Sequence, residues 1–292
     1  MTDAFSARAK ATAKSTLSDI FTPWIERWSL VADGPRFESY SRSQLLPVLS
    51  GGEPAMLKVP TGEEAHRAAG LLVWYGGDGA ARVMARDGPI LLLERLTGDR
   101  DLATMACTGQ DDEATRIVCD AIARLHTQRV GAPPELTPLP VYFRALETAA
   151  CKHGGVLSKA AATAAELFAE PRETIPLHGD IHHRNILDGR ERGWLAIDPV
   201  GLLGERGFDY ANLFNNPDVD NAHDKELRVA TAPGSLTRRL QIVADISFIE
   251  RKRLLQWVLA FSGLSASWTL GSGGNPTVTL TIAEIAAAAL NT

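Results

Sequence analysis

The sequence predicts an α+β chain in two lobes, a small β-rich lobe over residues 1–97 and a larger, mainly helical lobe over 98–292. Three observations predict it. In the first third, short apolar runs alternate with Gly-rich turns, the pattern of β-hairpins. After about Asp99 the apolar residues recur at helical spacing instead. And 292 residues, 45% of them hydrophobic, can bury a substantial core, while the 22% of charged residues is ordinary for a globular chain.

The elements follow in order. "FESYS" and "QLLPVLS" lead into the turn Gly51-Gly52-Glu53-Pro54, and "AMLKVP" returns as the partner strand. "EEAHRAAGLLVWY" is a helix with Ala65, Ala68, Leu71 and Leu72 on one face, ended by Gly76-Gly77. "ARVMA", the turn Arg86-Asp87-Gly88-Pro89 and "ILLLERL" make a second hairpin. "DDEATRIVCDAIARLHTQ" carries Ile117, Val118, Ala121, Ile122 and Leu125 at helical spacing. Residues 141–169 read as one or two helices with a break at Gly154-Gly155, and "TPLPV" and "SGGNP" read as loops. Strand signals return between 176 and 199, where "NILDGRERGWLAIDP" forms a hairpin about Asp188-Gly189-Arg190. Helices resume at "FDYANLF", at 236–270 and at 279–290.

Composition narrows the function classes. The net charge of −5 argues against a nucleic-acid partner, which calls for a basic face, and is compatible with a cationic small molecule. Cys107, Cys119 and Cys151 are an odd number without a CxxC pair, so free thiols in a reducing cytosol are expected rather than a disulfide framework. The first residues lack the apolar core of a signal peptide, and no window matches a membrane span. A cytoplasmic protein with no membrane partner, monomer or homodimer, is the expectation.

The chemistry concentrates in "IPLHGDIHHRNILDG". His178-Gly179-Asp180 is followed after four residues by Asn185, and thirteen residues later, across the hairpin, by Asp198 in "LAIDP". Moving a γ-phosphoryl group needs a carboxylate to orient and deprotonate the attacking hydroxyl, and oxygen ligands for Mg²⁺. Asp180 suits the first role, Asn185 and Asp198 the second. The order H-G-D-x-x-x-x-N followed by a later Asp parallels the kinase loop H-R-D-x-x-x-x-N and its separate metal-binding Asp. A nucleotide also needs a cation. Lys58, flanked by apolar residues in "AMLKVP", is the candidate for the α- and β-phosphates, with Glu64 of the following helix to orient it. Backbone groups from Glu94 to Leu96 are placed to pair with an adenine edge.

"LHGDIHHRNIL", followed by "WLAIDPVGLLGERGFDYANLFNNP", resembles the aminoglycoside phosphotransferases, a branch of the protein-kinase-like fold. Within them the chain is most similar to the streptomycin 6-kinase and hydroxyurea phosphotransferase group. "AMLKVP", "WYGGDGAARVMARDGPILLLERL", "IARLH" and "FSGLSASWTL" extend the likeness over more than two hundred residues. The resemblance implies ATP and Mg²⁺ as cofactors and a small-molecule hydroxyl acceptor, an aminoglycoside such as streptomycin. It makes Asp180 the catalytic base, Asn185 and Asp198 the metal ligands and Lys58 the phosphate-binding lysine. Asp209 becomes a structural carboxylate bonded to backbone amides of the catalytic loop. Two departures accompany it. The first hairpin has no glycine-rich phosphate loop, leaving Ser41, Arg42 and Ser43 to cover the phosphates, and Arg67 stands where a helix acid is expected.

Plainer readings stand beside these. His178, Asp180, His182 and His183 have the spacing of zinc ligands, but a hydrolase of that kind leaves Asn185, Asp198 and Lys58 unexplained. His178 reads as a structural histidine bonding loop backbone, and Asp209 doubles as a helix N-cap. The six tryptophans read as core, with Trp268 alone in a Ser- and Gly-flanked segment that can reach a cleft. Asp218, Asp220 and Asp224 read as a solvated acidic loop. The remaining alternatives are a kinase of another small hydroxyl compound, hydroxyurea or a metabolite, and a nucleotide-binding pseudoenzyme.

Overall fold

The computed structural model describes residues 20–39, 43–62, 64–219 and 228–291. A short helix α1 (Thr22–Arg27) and strand β1 (Leu30–Ala32) precede β2 (Phe37–Glu38), β3 (Gln44–Ser50) and β4 (Glu53–Val59). Helix α2 (Ala65–Tyr75) and the hairpin β5 (Val83–Asp87) and β6 (Ile90–Glu94) follow. The strands form one antiparallel sheet in the order β1-β3-β4-β6-β5, with β2 on β3. Gly51 and Gly52 turn the β3–β4 hairpin at φ of +60° and +90°, where a side chain would be strained. Gly76, at φ +63°, closes α2 in the left-handed conformation.

The two faces of β4 decide where the lysine goes. Ala55 and Leu57 face an outer cluster with Phe21, Leu30, Leu46, Val48 and Leu92. Met56 faces the main core with Leu71, Leu72, Leu91 and Leu93. Alternation along a strand puts Lys58 on the Met56 side, where it is buried at 8% exposure. That side faces the helical part of the chain.

The helical part begins with α3 (Leu102–Met105), capped by the Asp101 carboxylate on the Thr104 amide at 2.7 Å, and α4 (Asp111–Leu125). β7 (Thr137–Pro138) and α5 (Leu139–Tyr142) occupy the segment expected as a loop. The strand pairs with a partner far along the chain, β11, and a single helical turn is too short to show periodicity. α6 (Arg144–His153) and α7 (Gly155–Ala169) are separated at Gly154, as the pattern predicts. β8 (Thr174–Leu177), the hairpin β9 (Ile186–Asp188) and β10 (Trp194–Ala196), and β11 (Leu202–Glu205) follow. The chain ends in α8 (Ser235–Ser247), α9 (Arg251–Gly271) and α10 (Thr277–Ala289).

"FDYANLF" is two 3₁₀ turns, Arg206–Tyr210 and Asn212–Asn215, and not the expected α-helix. Pro217 has no N–H to bond the Leu213 carbonyl, and the buried Arg239 guanidinium takes that carbonyl and the one of Asn216, both at 2.7 Å. Arg239 also pairs with buried Asp111, which fastens this segment to α4 and α8.

Phe143, Phe208 and Trp257 meet edge to face at the centre of the core, with Phe208 5.7 Å from Trp257. Trp257 is buried, whereas Trp268, one face of α9 further on, is 38% exposed. The three cysteines are free. Among the described residues no helix is long and apolar enough to cross a membrane.

Candidate active site

Leu177, the last residue of β8, pairs with Leu202, the first of β11. The chain between them makes a loop and the β9–β10 hairpin. Gly179 sits at φ +90° with Leu202 and Val200 so close that an added Cβ would lie 2.8 Å and 3.1 Å from their side chains. Only glycine fits there. The buried carboxylate of Asp209 accepts the N–H groups of Gly179 (2.8 Å) and His178 (3.0 Å). A third partner, His126 Nε2 at the end of α4, lies 2.9 Å from the same carboxylate.

His178 is fully buried. Its Nδ1 accepts the Asp180 N–H at 3.3 Å, so Nε2 carries the proton and donates to the Ile197 carbonyl at 2.9 Å. Burial pushes its ring below the usual histidine pKa, although Asp209 and Asp180 pull the other way. A neutral histidine bridging the loop to the hairpin is a brace, not a proton carrier.

Asp180 is held from both sides. Asn185 Nδ2 donates to its Oδ2 (3.0 Å) and to its backbone carbonyl (2.9 Å), and Asn212 Nδ2 donates to its Oδ1 (2.8 Å). The carboxylate is 42% exposed, and His182 Nε2 lies 3.8 Å from its Oδ2. Because the Asn185 amide nitrogen turns to Asp180, its Oδ1 is the atom left for a cation. Ile197 N–H bonds the Asn185 carbonyl at 2.9 Å and ties that residue to the approach to Asp198.

Asp198 has φ +59° and precedes Pro199, a combination disfavoured for a residue with a side chain. The surroundings hold it there: Val200 N–H bonds the His178 carbonyl at 2.8 Å. Strained backbone of this kind concentrates at functional positions. Lys58 Nζ forms an ion pair with Asp198 Oδ1, so the inner face of β4 meets the end of the β9–β10 hairpin at this point.

The expected Lys58–Glu64 pair is therefore not formed. Glu64 is exposed, just ahead of α2, and that first turn is docked elsewhere. Arg67 pairs with Glu135 at 3.6 Å, an added Cβ on Gly70 would lie 3.1 Å from Pro134, and one on Gly201 would lie 3.2 Å from the Arg67 backbone. These contacts pack α2 against Pro134, Glu135 and Gly201.

The family profile described as "Aminoglycoside/hydroxyurea antibiotic resistance kinase" matches residues 27–273. The chain belongs to that kinase family. Streptomycin 3''-kinase from Klebsiella pneumoniae is 51% identical over 249 residues, 85% of this chain and 92% of that one. Streptomycin 6-kinase from Streptomyces griseus is 33% identical, over 85% of this chain and 81% of that one. Among solved structures, ethanolamine kinase from Plasmodium vivax superposes with a TM-score of 0.60 at 12% identity, covering 89% of this chain and 82% of the other. The fold is the protein-kinase-like α+β architecture that the motifs predict.

The remaining candidate residues of this kinase divide as follows. The Glu94 N–H is used by the Arg82 carbonyl, and its carboxylate braces Arg82 and Arg192. Among the described residues, the Leu96 backbone makes no hydrogen bond, which leaves its N–H and C=O for an adenine edge. Ser43 is buried, its N–H held by Ser39 Oγ at 3.2 Å, while Ser41 and Arg42 lie outside the described residues. Asp218 is not a solvated acid: it is fully buried and accepts the N–H groups of Val229, Ala230 and Thr231. Asp220 and Asp224 lie outside the described residues. Among the described residues no group of three or more His, Cys, Asp or Glu side chains could hold a metal ion, which removes the geometric basis for a zinc hydrolase. Asn212 and His126 were not legible as site residues. Both were visible only as polar side chains in "YANLF" and "IARLH", and their partners are 32 and 83 residues away.

Proposed function

We propose that this kinase uses ATP and Mg²⁺ to phosphorylate a hydroxyl group of an aminoglycoside, streptomycin foremost, and thereby inactivates it. The observation that carries this reading is the Asp180 carboxylate, clamped by Asn185 and Asn212 and flanked by the Lys58–Asp198 pair.

Asp180 would accept a hydrogen bond from the acceptor hydroxyl and take its proton as the oxygen attacks the γ-phosphorus. The new O–P bond forms as the bond from the γ-phosphorus to the bridging oxygen breaks, and ADP leaves. Two protein oxygens, Asn185 Oδ1 and an Asp198 carboxylate oxygen, suit Mg²⁺, which takes few protein ligands and completes its shell with phosphate and water. Bound there, the ion would neutralise phosphate charge. Lys58 would exchange its partner Asp198 for phosphate oxygens, and Leu96 would meet the adenine edge. Neutral Asn185 can ligate without adding a second repelling charge beside the phosphates. Phosphorylation adds about −1.5 to −2 charges to a cationic drug and disturbs its recognition by RNA.

The identity to the streptomycin 3''-kinase favours the 3''-hydroxyl over the 6-hydroxyl. A cytoplasmic site of action follows from the need for ATP. The family description supports hydroxyurea as a second acceptor class.

The test is ATP consumption across streptomycin, other aminoglycosides and hydroxyurea, with the phosphate position in the product read by ³¹P–¹H NMR. Streptomycin-dependent turnover is expected, and Asp180→Asn and Asp198→Ala proteins should fold and lose it. Retention of wild-type turnover by both variants would remove the assignment. Thermal stabilisation by zinc alone, with none from ATP plus Mg²⁺, would sink the kinase reading.

A further inference from the structure

The two residues read as metal ligands sit at the open end of one hairpin, Asn185 just before β9 and Asp198 just after β10. The opposite end of that hairpin is tied down. Its tip is the turn Arg190–Arg192, closed where the Gly189 N–H bonds the Gly193 carbonyl at 2.8 Å. From the tip, Arg190 donates twice to the Thr97 carbonyl, at 3.0 Å and 2.9 Å. The Asp188 carboxylate accepts Arg100 at 2.7 Å and 2.9 Å, and the Asp188 carbonyl accepts the Gly98 N–H at 3.0 Å. Arg192 reaches further. One end of its guanidinium pairs with the Glu94 carboxylate at the end of β6, and the other donates to the Gly77 carbonyl just past α2. At the end of β10, the Ala196 N–H bonds the Gly79 carbonyl and the Ala196 carbonyl accepts the Ala81 N–H, both at 2.9 Å.

The hairpin is therefore bound to the segments 77–81 and 94–100, and the second of these contains Leu96. Asp180 is fixed from elsewhere: Asn212 and Asp209, both in the 3₁₀ turns after Arg206, hold it and the loop that carries it. Base and metal ligands thus take their places from different parts of the chain. Lys58 adds a tie at the open end through Asp198, but that is the tie given up when Lys58 turns to phosphate. The bonds at the tip and at Ala196 then have to keep the hairpin in register with the nucleotide. Arg192 is suited to this because a guanidinium presents donors in two directions in one plane, where a lysine has a single head. The Arg192 and Glu94 side chains are 31% and 20% exposed, so their pair is screened less than one on the open surface.

We propose that Arg192 is a positioning residue of this kinase: its bonds to Glu94 and Gly77 set the β9–β10 hairpin at a fixed distance from the adenine-binding segment, so that Asn185 and Asp198 are in place for the metal once the adenine is seated. The inference rests on the reading of Asn185 and Asp198 as Mg²⁺ ligands and of Leu96 as the adenine contact. Arg192 acts through the hairpin and not on the nucleotide itself. Its removal loosens the hairpin and leaves the adenine contact intact, so what falls is the affinity that Mg²⁺ adds to nucleotide binding.

The test is calorimetric titration of a non-hydrolysable ATP analogue with and without Mg²⁺, with a thermal melt of each protein. In Arg192→Met, which keeps the apolar stem and removes the guanidinium, the gain in affinity from Mg²⁺ should shrink about five- to tenfold. The Mg²⁺-free affinity should stay within about twofold of wild type. Arg192→Lys keeps the charge but not both bonds and should fall between the two, which gives a second reading if Arg192→Met folds poorly. Asp198→Ala, the control for the metal site, should lose the Mg²⁺ gain altogether. A wild-type Mg²⁺ gain in both Arg192 variants, whatever their Tm, would make Arg192 a stabilising residue only and overturn the proposal. So would equal weakening with and without Mg²⁺, which would place its effect on the adenine segment. A full Mg²⁺ gain in Asp198→Ala would instead overturn the metal-ligand reading, and the proposal with it.

Discussion

Asn212→Ala is the perturbation that most directly reads how the base is held. Asn212 is 9% exposed, and its Nδ2 donates to Asp180 Oδ1 at 2.8 Å, while Asn185 keeps the other oxygen. A hydrogen bond to a charged group contributes about 1.5–3 kcal/mol. If all of it is expressed in the transition state, kcat/KM falls about 10- to 150-fold, since 1.4 kcal/mol is about tenfold. The stability cost is smaller. Asn216 Nδ2 loses the Asn212 side-chain oxygen at 2.9 Å but keeps its backbone carbonyl at 3.2 Å. A loss of about 1 kcal/mol lowers Tm by about 2–4 °C. Asn212→Asp is the companion variant. It sets two carboxylates against each other, and such a pair shares a proton, raising the pKa of one of them. Transfer that needs ionised Asp180 would then rise with pH over a higher range than in wild type. The assay is streptomycin-dependent ADP release from about pH 5 to about pH 9, a span that shows both limbs, with a thermal melt of each protein. If Asn212→Ala stays within about twofold of wild type and Asn212→Asp leaves the pH profile in place, Asn212 does not position the base.

Other outcomes follow from the same geometry. Lys58→Met keeps the apolar stem on the inner face of β4 and removes the cation, so affinity for an ATP analogue should drop about 10- to 100-fold with streptomycin binding little changed, as read by titration. Gly98→Ala should destabilise by about 1–3 kcal/mol, because a Cβ there meets the Asp188 side chain and carbonyl; a melt at wild-type temperature would contradict the packing. Arg100 holds the Asp188 carboxyl down at about 2, against an ordinary value of 3.8. A carboxyl with a depressed folded pKa binds fewer protons folded than unfolded, so its stabilisation is full above 3.8 and fades as pH falls towards about 2. Arg100→Ala should therefore begin acid unfolding at higher pH, most visibly at low salt because the Arg100 side chain is 55% exposed; circular dichroism during acid titration checks it.

Local chemistry along the chain determined a good part of this protein. Gly51-Gly52 and Gly88 mark their hairpins because the turns need backbone conformations that glycine adopts without strain. Helices α4, α6 and α7 show their buried faces as apolar periodicity, whereas α9 is buried nearly all round. The spacing from His178 to Asn185 and on to Asp198 is legible because one loop and one hairpin bring those residues together, with no distant element required. Elsewhere local pattern was too short or pointed the wrong way. Thr137–Tyr142 becomes strand and helix through pairing with β11, and the turns after Arg206 stay 3₁₀ because Pro217 and Arg239 take away the bonds of an α-helix.

What only the tertiary structure decided is which side chains share the site. Asn212 reaches Asp180 across 32 residues, His126 reaches Asp209 across 83, and Lys58 reaches Asp198 across 140. The place of Glu64 beside α2 suggests Lys58 as its partner, but Lys58 pairs with Asp198, and α2 packs against Pro134 and Glu135 through Gly70 and Arg67. Sequence records residue types and near-neighbour spacing. Which distant polar groups meet depends on how the apolar faces of separate elements pack, and that packing is set by the whole chain at once.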